Sequence, residues 1–268
     1  MFNIVHGLIL EQSNEMSTPV IACPASGLAQ WLATPQGEYV HAWEQDRLDS
    51  IVADIFGYNA VQLGLPGCDL LRSNRIALRF TAGAEPGAAL ATDLTQLPLA
   101  TSSMDLVLMP HVLEFAEDPH QILREVERVL MPEGHVVICG FNPFSLWGMR
   151  RRFSARGFPW QGRYLSLLRI KDWLALLGFE ANRGCFGCYA PPASQGKWLS
   201  RFAFMEKAGD RWWPIAGGVY IIQAVKRVQG MRLVTPAWRT ATAKQKNLAT
   251  VARNGTHGFK VIKGGRDS

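Results

Sequence analysis

Asp93-Leu-Thr-Gln-Leu-Pro-Leu99, followed by Ser103-Met-Asp-Leu-Val-Leu-Met-Pro-His-Val-Leu-Glu-Phe115, is the stretch on which the fold turns. Met104 to Met109 is apolar apart from Asp105, the composition of a strand buried on both faces of a parallel sheet. Asp118-Pro-His-Gln121 then opens a helix. Asp118 is a side-chain cap, Pro119 suits the first helical position, and Gln121 is spaced to reach back in a capping box. Ile122, Leu123, Val126, Val129 and Leu130 follow at helical spacing until Pro132 and Gly134 intervene. His135 to Cys139 is the next strand. Strand, helix and strand in that order make a βαβ unit, hence a parallel sheet whose ligands lie outside the carboxyl ends of the strands.

Working outward, Trp31 to Phe56 reads as helical, with Leu48, Ile51, Val52 and Ile55 on one stripe and Gly57 as its stop. Tyr58 to Leu63 is a strand candidate running into Gly64-Leu-Pro-Gly67. Ile76 to Phe80 and Ala88 to Ala91 are the next two strand candidates. Downstream, Ile170 to Leu177 reads as a helix closed by Gly178, with Phe179 set for the apolar contact that often follows such a cap. Asn182 to Cys188 and Val219 to Val225 read as two further strands with an insertion between them.

Taken together with Leu123-Arg-Glu-Val-Glu-Arg-Val-Leu-Met-Pro-Glu-Gly-His135 and Ile138-Cys-Gly-Phe-Asn-Pro143, the stretch resembles the S-adenosylmethionine-dependent methyltransferases called type 11. Their pattern is an Asp before a Leu-Pro-Phe-like turn, a Phe-Asp-Leu-Val strand, a His-Val-Leu-Glu-His-like loop, and a helix ending in Arg-Val-Leu-x-Pro-Gly-Gly. The similarity runs in order from Trp31 to Lys226 and is densest between Asp93 and Pro143. It implies a Rossmann-like class I methyltransferase fold: α/β, with a mostly parallel seven-stranded sheet and helices on both faces. It implies S-adenosyl-L-methionine as cofactor, held by Leu63, Gly64, Gly67, Asp93, Leu94, Met109 and His111. In that reading Asp93 accepts from the adenine amine and the Leu94 amide serves a ring nitrogen; otherwise Asp93 is a turn cap. Met109, Pro110 and His111 close a strand at the carboxyl edge, where they would line a ligand; otherwise His111 is an ordinary loop histidine. Phe115 stands where the family usually has a second His.

The glycine turn departs from the family. Class I methyltransferases carry a Gly-x-Gly-x-Gly-like loop after the first strand, because side chains there would collide with the cofactor. This chain has only Gly64-Leu-Pro-Gly67-Cys, and Pro66 removes a backbone donor. Nor does an acid follow the second strand candidate directly: Arg79, Phe80 and Thr81 occupy that place, and Glu85 sits too far along by spacing.

Arg150, Arg151, Arg152, Arg156, Arg163, Arg169 and Lys171 give seven cations and no acid between residues 150 and 171, interleaved with Trp147, Phe153, Phe158, Trp160 and Tyr164. Lying after the strand that ends at Cys139, this segment is either a solvated loop or a basic lid favouring an anionic acceptor, a phosphate or a stacked base. The net charge of +6 is itself uneven: residues 226–268 carry ten Lys or Arg against Asp267, whereas residues 1–225 carry 18 basic and 21 acidic residues. The positive charge thus comes from a tail and not from the body of the chain, and the tail is read as a solvated extension with a nucleic-acid contact as the functional alternative. The expected organisation is an N-terminal extension over 1–28, a methyltransferase-like domain over 29–228 with insertions at 142–169 and 190–214, and the tail over 229–268.

A 48% hydrophobic composition excludes disorder of the whole chain. Five cysteines point to a reducing compartment, Met1 to Leu10 has no secretory pattern, and the longest uncharged apolar run, Trp212 to Val225, is too short for a bilayer span, so the cytoplasm is expected. Cys185-x-x-Cys188 alone is a weak metal signal, and no metal is expected. The functional expectation is methyl transfer from S-adenosylmethionine to a small-molecule or RNA-linked acceptor. Methyl transfer asks mainly for alignment in a dry pocket, so no catalytic residue is assigned, and His111 is the one candidate base. The alternative is a non-catalytic binding or scaffold protein that kept the fold. A nicotinamide oxidoreductase is disfavoured, because no Gly-x-Gly-x-x-Gly turn is present.

Overall fold

The computed structural model describes residues 24–153, 157–191, 206, 209 and 211–227. Its centre is a seven-stranded sheet in the order β3-β2-β1-β4-β5-β7-β6. The strands are β1 (Asn59–Leu63), β2 (Leu78–Gly83), β3 (Leu90–Ala91), β4 (Met104–Pro110), β5 (Leu130–Phe141), β6 (Phe179–Gly187) and β7 (Val219–Lys226). The first five are mutually parallel. β7 inserts antiparallel between β5 and β6, pairing His135 with Val225 and Phe141 with Val219. This is the mostly parallel Rossmann-like sheet that the resemblance implies.

The sheet is covered on both faces. Against one face pack α4 (Pro119–Val129) and α6 (Leu167–Leu176), through Ile122, Leu123, Val126, Ile170 and Leu174. Against the other pack α2 (Pro35–Ala53), through Leu48 and Val52, and the loop residues Leu70, Leu71 and Ile76. A third cluster gathers α1 (Pro24–Leu32), Phe141 and α5 (Leu146–Phe153) at the carboxyl edge. The short α3 (Val112–Phe115) follows β4 directly. No helix among the described residues is long and apolar enough to cross a membrane.

Several elements differ from expectation for local reasons. The helical segment expected from Trp31 onward is two helices, because Thr34 accepts from Gly37 N as a cap and Pro35 starts a new helix. Asp118 caps α4 by accepting from His120 N and Gln121 N, but Gln121 does not reach back; its amide donates to Thr95 O at 3.4 Å. β2 runs from Leu78 to Gly83 rather than Ile76 to Phe80. Ile76 instead faces the core beneath α2, where Asn74 holds the chain by donating to Ile55 O and accepting from Ile76 N. The first crossover therefore has no helix; turns over 65–77 make it, and α2 supplies the cover on that face. α1 begins inside the segment expected to be an extension, and Leu28 is buried. The basic tail, Arg156 and most of the 190–214 insertion lie outside the described residues.

Candidate functional site

Outside the carboxyl ends of β1, β2 and β4 lies a hollow of about 610 Å³, lined by Gly64, Leu65, Glu85, Asp93, Leu94 and His111 among others. Small-molecule sites commonly span about 300–1,000 Å³, so a nucleoside with an amino-acid arm fits. The position follows from the topology. β1 and β4 are adjacent, and the chain leaves β1 toward β2 on one side and reaches β4 on the other.

The floor is Gly64. Its φ is +75°, and a Cβ there would sit 3.5 Å from Val112 Cγ2 and 3.6 Å from Glu85 Oε1, filling space that the hollow keeps open. Leu65 follows with φ +48°, a left-handed conformation that costs a side-chain-bearing residue roughly 1–2 kcal/mol. The side chain of Gln62 offsets that strain. Buried at the end of β1, it donates to Gly64 O, Leu65 O and Cys68 O at 3.1, 3.0 and 2.8 Å, and accepts from Leu70 N at 3.1 Å. One side-chain amide, its two hydrogens shared among three carbonyls and its oxygen accepting from Leu70 N, holds the turn that glycines alone would leave loose. Gly67 is exposed, does not line the hollow, and would tolerate a Cβ with nothing within 4 Å. The Leu65 side chain packs with Leu28, Trp31 and Phe141, forming one wall rather than a plug.

On the opposite rim, Asp93 lines the hollow, and its Oδ1 accepts from Thr95 N at 2.8 Å. Asp93 thus has the capping role and remains available for another. Between these rims stands Glu85, a residue sequence spacing passed over. Because β2 ends at Gly83, Glu85 lies two residues past the strand, in the place an acid seemed to lack. Burial raises its carboxyl above the usual range, and the Leu65 backbone amide partly opposes that shift.

His111 is not an open ligand-facing imidazole. Its φ is +53°, it starts α3, and its side chain is fully buried. Nε2 lies 2.6 Å from Glu44 Oε1 of α2, and Nδ1 lies 2.8 Å from Glu114 Oε2. Burial alone would lower its pKa, but the two carboxylates outweigh that and lift it to about 10. The imidazolium ties α2 to the start of α3, and His111 meets the hollow through its backbone. This removes it as a candidate base. Glu114, raised by burial and eased by His111, also accepts from Phe141 N. Of the remaining expected residues, Leu63 and Met109 belong to the core behind the hollow, not to its lining. Structure thus brings together Gly64, Asp93, Leu94 and His111, and sets Leu63, Gly67 and Met109 apart.

The family model for methyltransferase domains matches residues 67–138, the segment from the glycine turn through β5. Over that segment the chain is similar to the type 11 methyltransferases. Among curated relatives, the uncharacterised protein YafS of Escherichia coli is 30% identical over 154 residues, which is 56% of this chain and 64% of that protein. The malonyl-[acyl-carrier protein] O-methyltransferase of Laribacter hongkongensis is 30% identical over 93 residues, 34% of this chain and 31% of that one. The chain thus spans less than two thirds of the length of these relatives. Among solved structures, a S-adenosylmethionine-dependent methyltransferase of Thermotoga maritima superposes with a TM-score of 0.53 at 18% identity, over 70% of this chain and 92% of that one. The likeness to that methyltransferase is one of fold.

Gln62 and Glu44 are the site-building residues that sequence reading missed. Gln62 carried a signal, since an amide inside an otherwise apolar strand needs partners. Glu44 carried none, because its helix is polar on several sides and only the third dimension brings it to His111.

Proposed function

We propose that the chain is a S-adenosylmethionine-dependent methyltransferase and that the hollow at β1, β2 and β4 holds the cofactor. The observation that carries this reading is the convergence of Gly64, Glu85, Asp93 and Leu94 on one nucleoside-sized space. Asp93 would accept from the adenine amine, the Leu94 amide would serve a ring nitrogen, and Glu85 would accept from the ribose hydroxyls. Gly64 leaves the backbone open to the amino-acid arm. The bound cofactor supplies an activated methyl group on a sulfonium. The chain's own contribution is to orient it, keep water away and fix the acceptor in line. His111, already protonated between two carboxylates, takes no proton from the acceptor; Leu63 and Met109 support the site from behind. The acceptor in this reading is a small molecule or an RNA-linked group, and the reaction takes place in the cytoplasm.

Calorimetric titration with the cofactor and with S-adenosylhomocysteine tests the reading. The wild type is expected to bind both, and Glu85→Ala to bind at least about tenfold more weakly, the loss of one or two hydrogen bonds to a charged group. Absence of binding at millimolar ligand would overturn it. Labelled-methyl incorporation from a cell extract then separates an enzyme from a binding protein of the same fold.

A further inference from the structure

A second hollow, of about 420 Å³, opens next to the first along the same edge of the sheet. The two are neighbours through consecutive residues: Asp118 lines the first and Pro119 the second. Arg151 of α5, Arg163 and Tyr164 of the loop before α6, Arg169 of α6, and the ring pair His120 and Trp173, tilted by 48° at 3.9 Å, surround it. No carboxylate pairs with Arg151, Arg163 or Arg169 among the described residues, although the protein's other arginines commonly find one, as Arg72 does with Asp49 and Arg128 with Glu125. The neighbouring acid, Asp118, is occupied in capping α4. A smaller depression of about 280 Å³ continues from it past Arg151, Arg152 and Tyr164.

The hydroxyl of Tyr164 is what distinguishes this from a solvated basic loop. The residue is 9% exposed, its ring stacks 5.1 Å from Phe141, and the Arg151 guanidinium lies over the ring at 5.3 Å. Its hydroxyl is buried with no hydrogen-bond partner, and so is Arg151 Nε. Buried polar groups without partners are rare in folded proteins and call for one. Burial and the nearby Glu114 keep the phenol protonated, so it offers a donor. Two unmatched donors, flanked by two further guanidinium groups, lack one thing: an acceptor bearing negative charge.

We propose that this second hollow is an oxyanion site that receives a carboxylate or phosphate carried by the methyl acceptor. It rests on the methyltransferase reading for the word acceptor alone; the anion site is argued from Arg151, Arg163, Arg169 and Tyr164 whatever fills the first hollow. The aromatic wall of Trp173, in ring contact with His120, suits an apolar or planar body attached to that anion, and the adjoining first hollow would present the methyl group beside it.

The test titrates the full chain, saturated with S-adenosylhomocysteine, with inorganic phosphate and separately with malonate at constant ionic strength. Wild type, Tyr164→Phe, and the combined Arg151→Gln, Arg163→Gln, Arg169→Gln variant are compared. Binding of phosphate, malonate or both to the wild type supports the site and says which anion it prefers. The triple variant is expected to lose binding by at least about tenfold, given the strength of hydrogen bonds to charged groups. Tyr164→Phe should weaken the anion several-fold while leaving the melting temperature of the free protein unchanged or higher, since its hydroxyl bonds to nothing in the empty protein. Neither anion binding, or equal binding to wild type and triple variant, overturns the proposal. Titration of each variant with S-adenosylhomocysteine keeps the two readings apart: anion binding without nucleoside binding removes the cofactor reading and leaves the anion site standing.

Discussion

The two hollows sit side by side on one edge and are built on opposite plans. The first rests on strand ends: backbone turns after β1, β2 and β4, acids that include Glu85 and Asp93 in its lining, and a buried ionic clamp beneath it. The second is made of side chains on helices and a loop, with three arginines and no opposing acid. A parallel sheet fixes the first almost by itself, because strand ends must bring those turns together. Nothing in the sheet dictates the second. The first is therefore the part a family shares, and the second the part in which one member differs from another.

The largest expected effect tests whether the clamp under the first hollow is as tight as its geometry implies. Glu44→Ala leaves His111 buried with one carboxylate instead of two, and breaking such a buried pair typically costs about 3–5 kcal/mol. Urea denaturation measures it, and a loss well below 1 kcal/mol would show that the clamp is slack. Gln62→Leu comes next. It removes the amide that three carbonyls and Leu70 N share, and a buried group left unpaired costs roughly 1–3 kcal/mol. Weaker S-adenosylhomocysteine binding should accompany the lower stability, because the same amide shapes the turn. A variant that is less stable but binds normally would separate the turn from the ligand.

A pH series sharpens the contrast, since the titrating clamp lies beneath the first hollow. His111 has an ordinary value of 6.5 and rises to about 10 in the folded protein. Its bound proton therefore stabilises the fold fully below about pH 6.5, and that contribution is lost as pH climbs through 10. Glu44 and Glu114 face it directly. Tyr164, Tyr220 and Cys139, all raised by burial, stay neutral across that window. The wild-type melting temperature should fall from pH 6.5 to 10, and that of His111→Gln should fall less. Parallel curves would contradict the clamp.

How much of this was legible in the sequence follows the same division. The pattern from Asp93 to Pro143 announced β4, α4 and β5, because each depends on short-range features: an apolar run, a cap with proline, a helical stripe. The end of β2 was misplaced because Ile76 looks like a strand residue and is in fact a loop residue packed under α2. That one displacement hid Glu85, which only the correct strand end reveals. Gly67 attracted attention as a motif remnant, yet the turn is held by Gln62, whose four bonds join residues that spacing cannot relate. His111 was legible as important and not as clamped, since Glu44 reaches it from 67 residues away in the chain. The arginines of the second hollow showed as a charge run; that three of them line one hollow with a tyrosine whose hydroxyl is buried and unpartnered needed coordinates.

The smallest and most selective effect is a double dissociation between the hollows. Asp93→Asn keeps the cap on Thr95 and removes the charge, so S-adenosylhomocysteine should weaken by several-fold with phosphate binding unchanged. Arg151→Gln should do the reverse. Loss of both ligands in either variant would mean one merged site.

The central claim is that strand ends β1, β2 and β4 cradle a nucleoside. A crystal structure of the protein with S-adenosylhomocysteine tests it most directly. The account predicts the adenine amine within hydrogen-bond distance of the Asp93 carboxylate and the ribose hydroxyls at Glu85, with the amino-acid arm over Gly64. A ligand bound elsewhere, or crystals that stay empty at saturating concentration with Leu65 swung across the hollow, would contradict it.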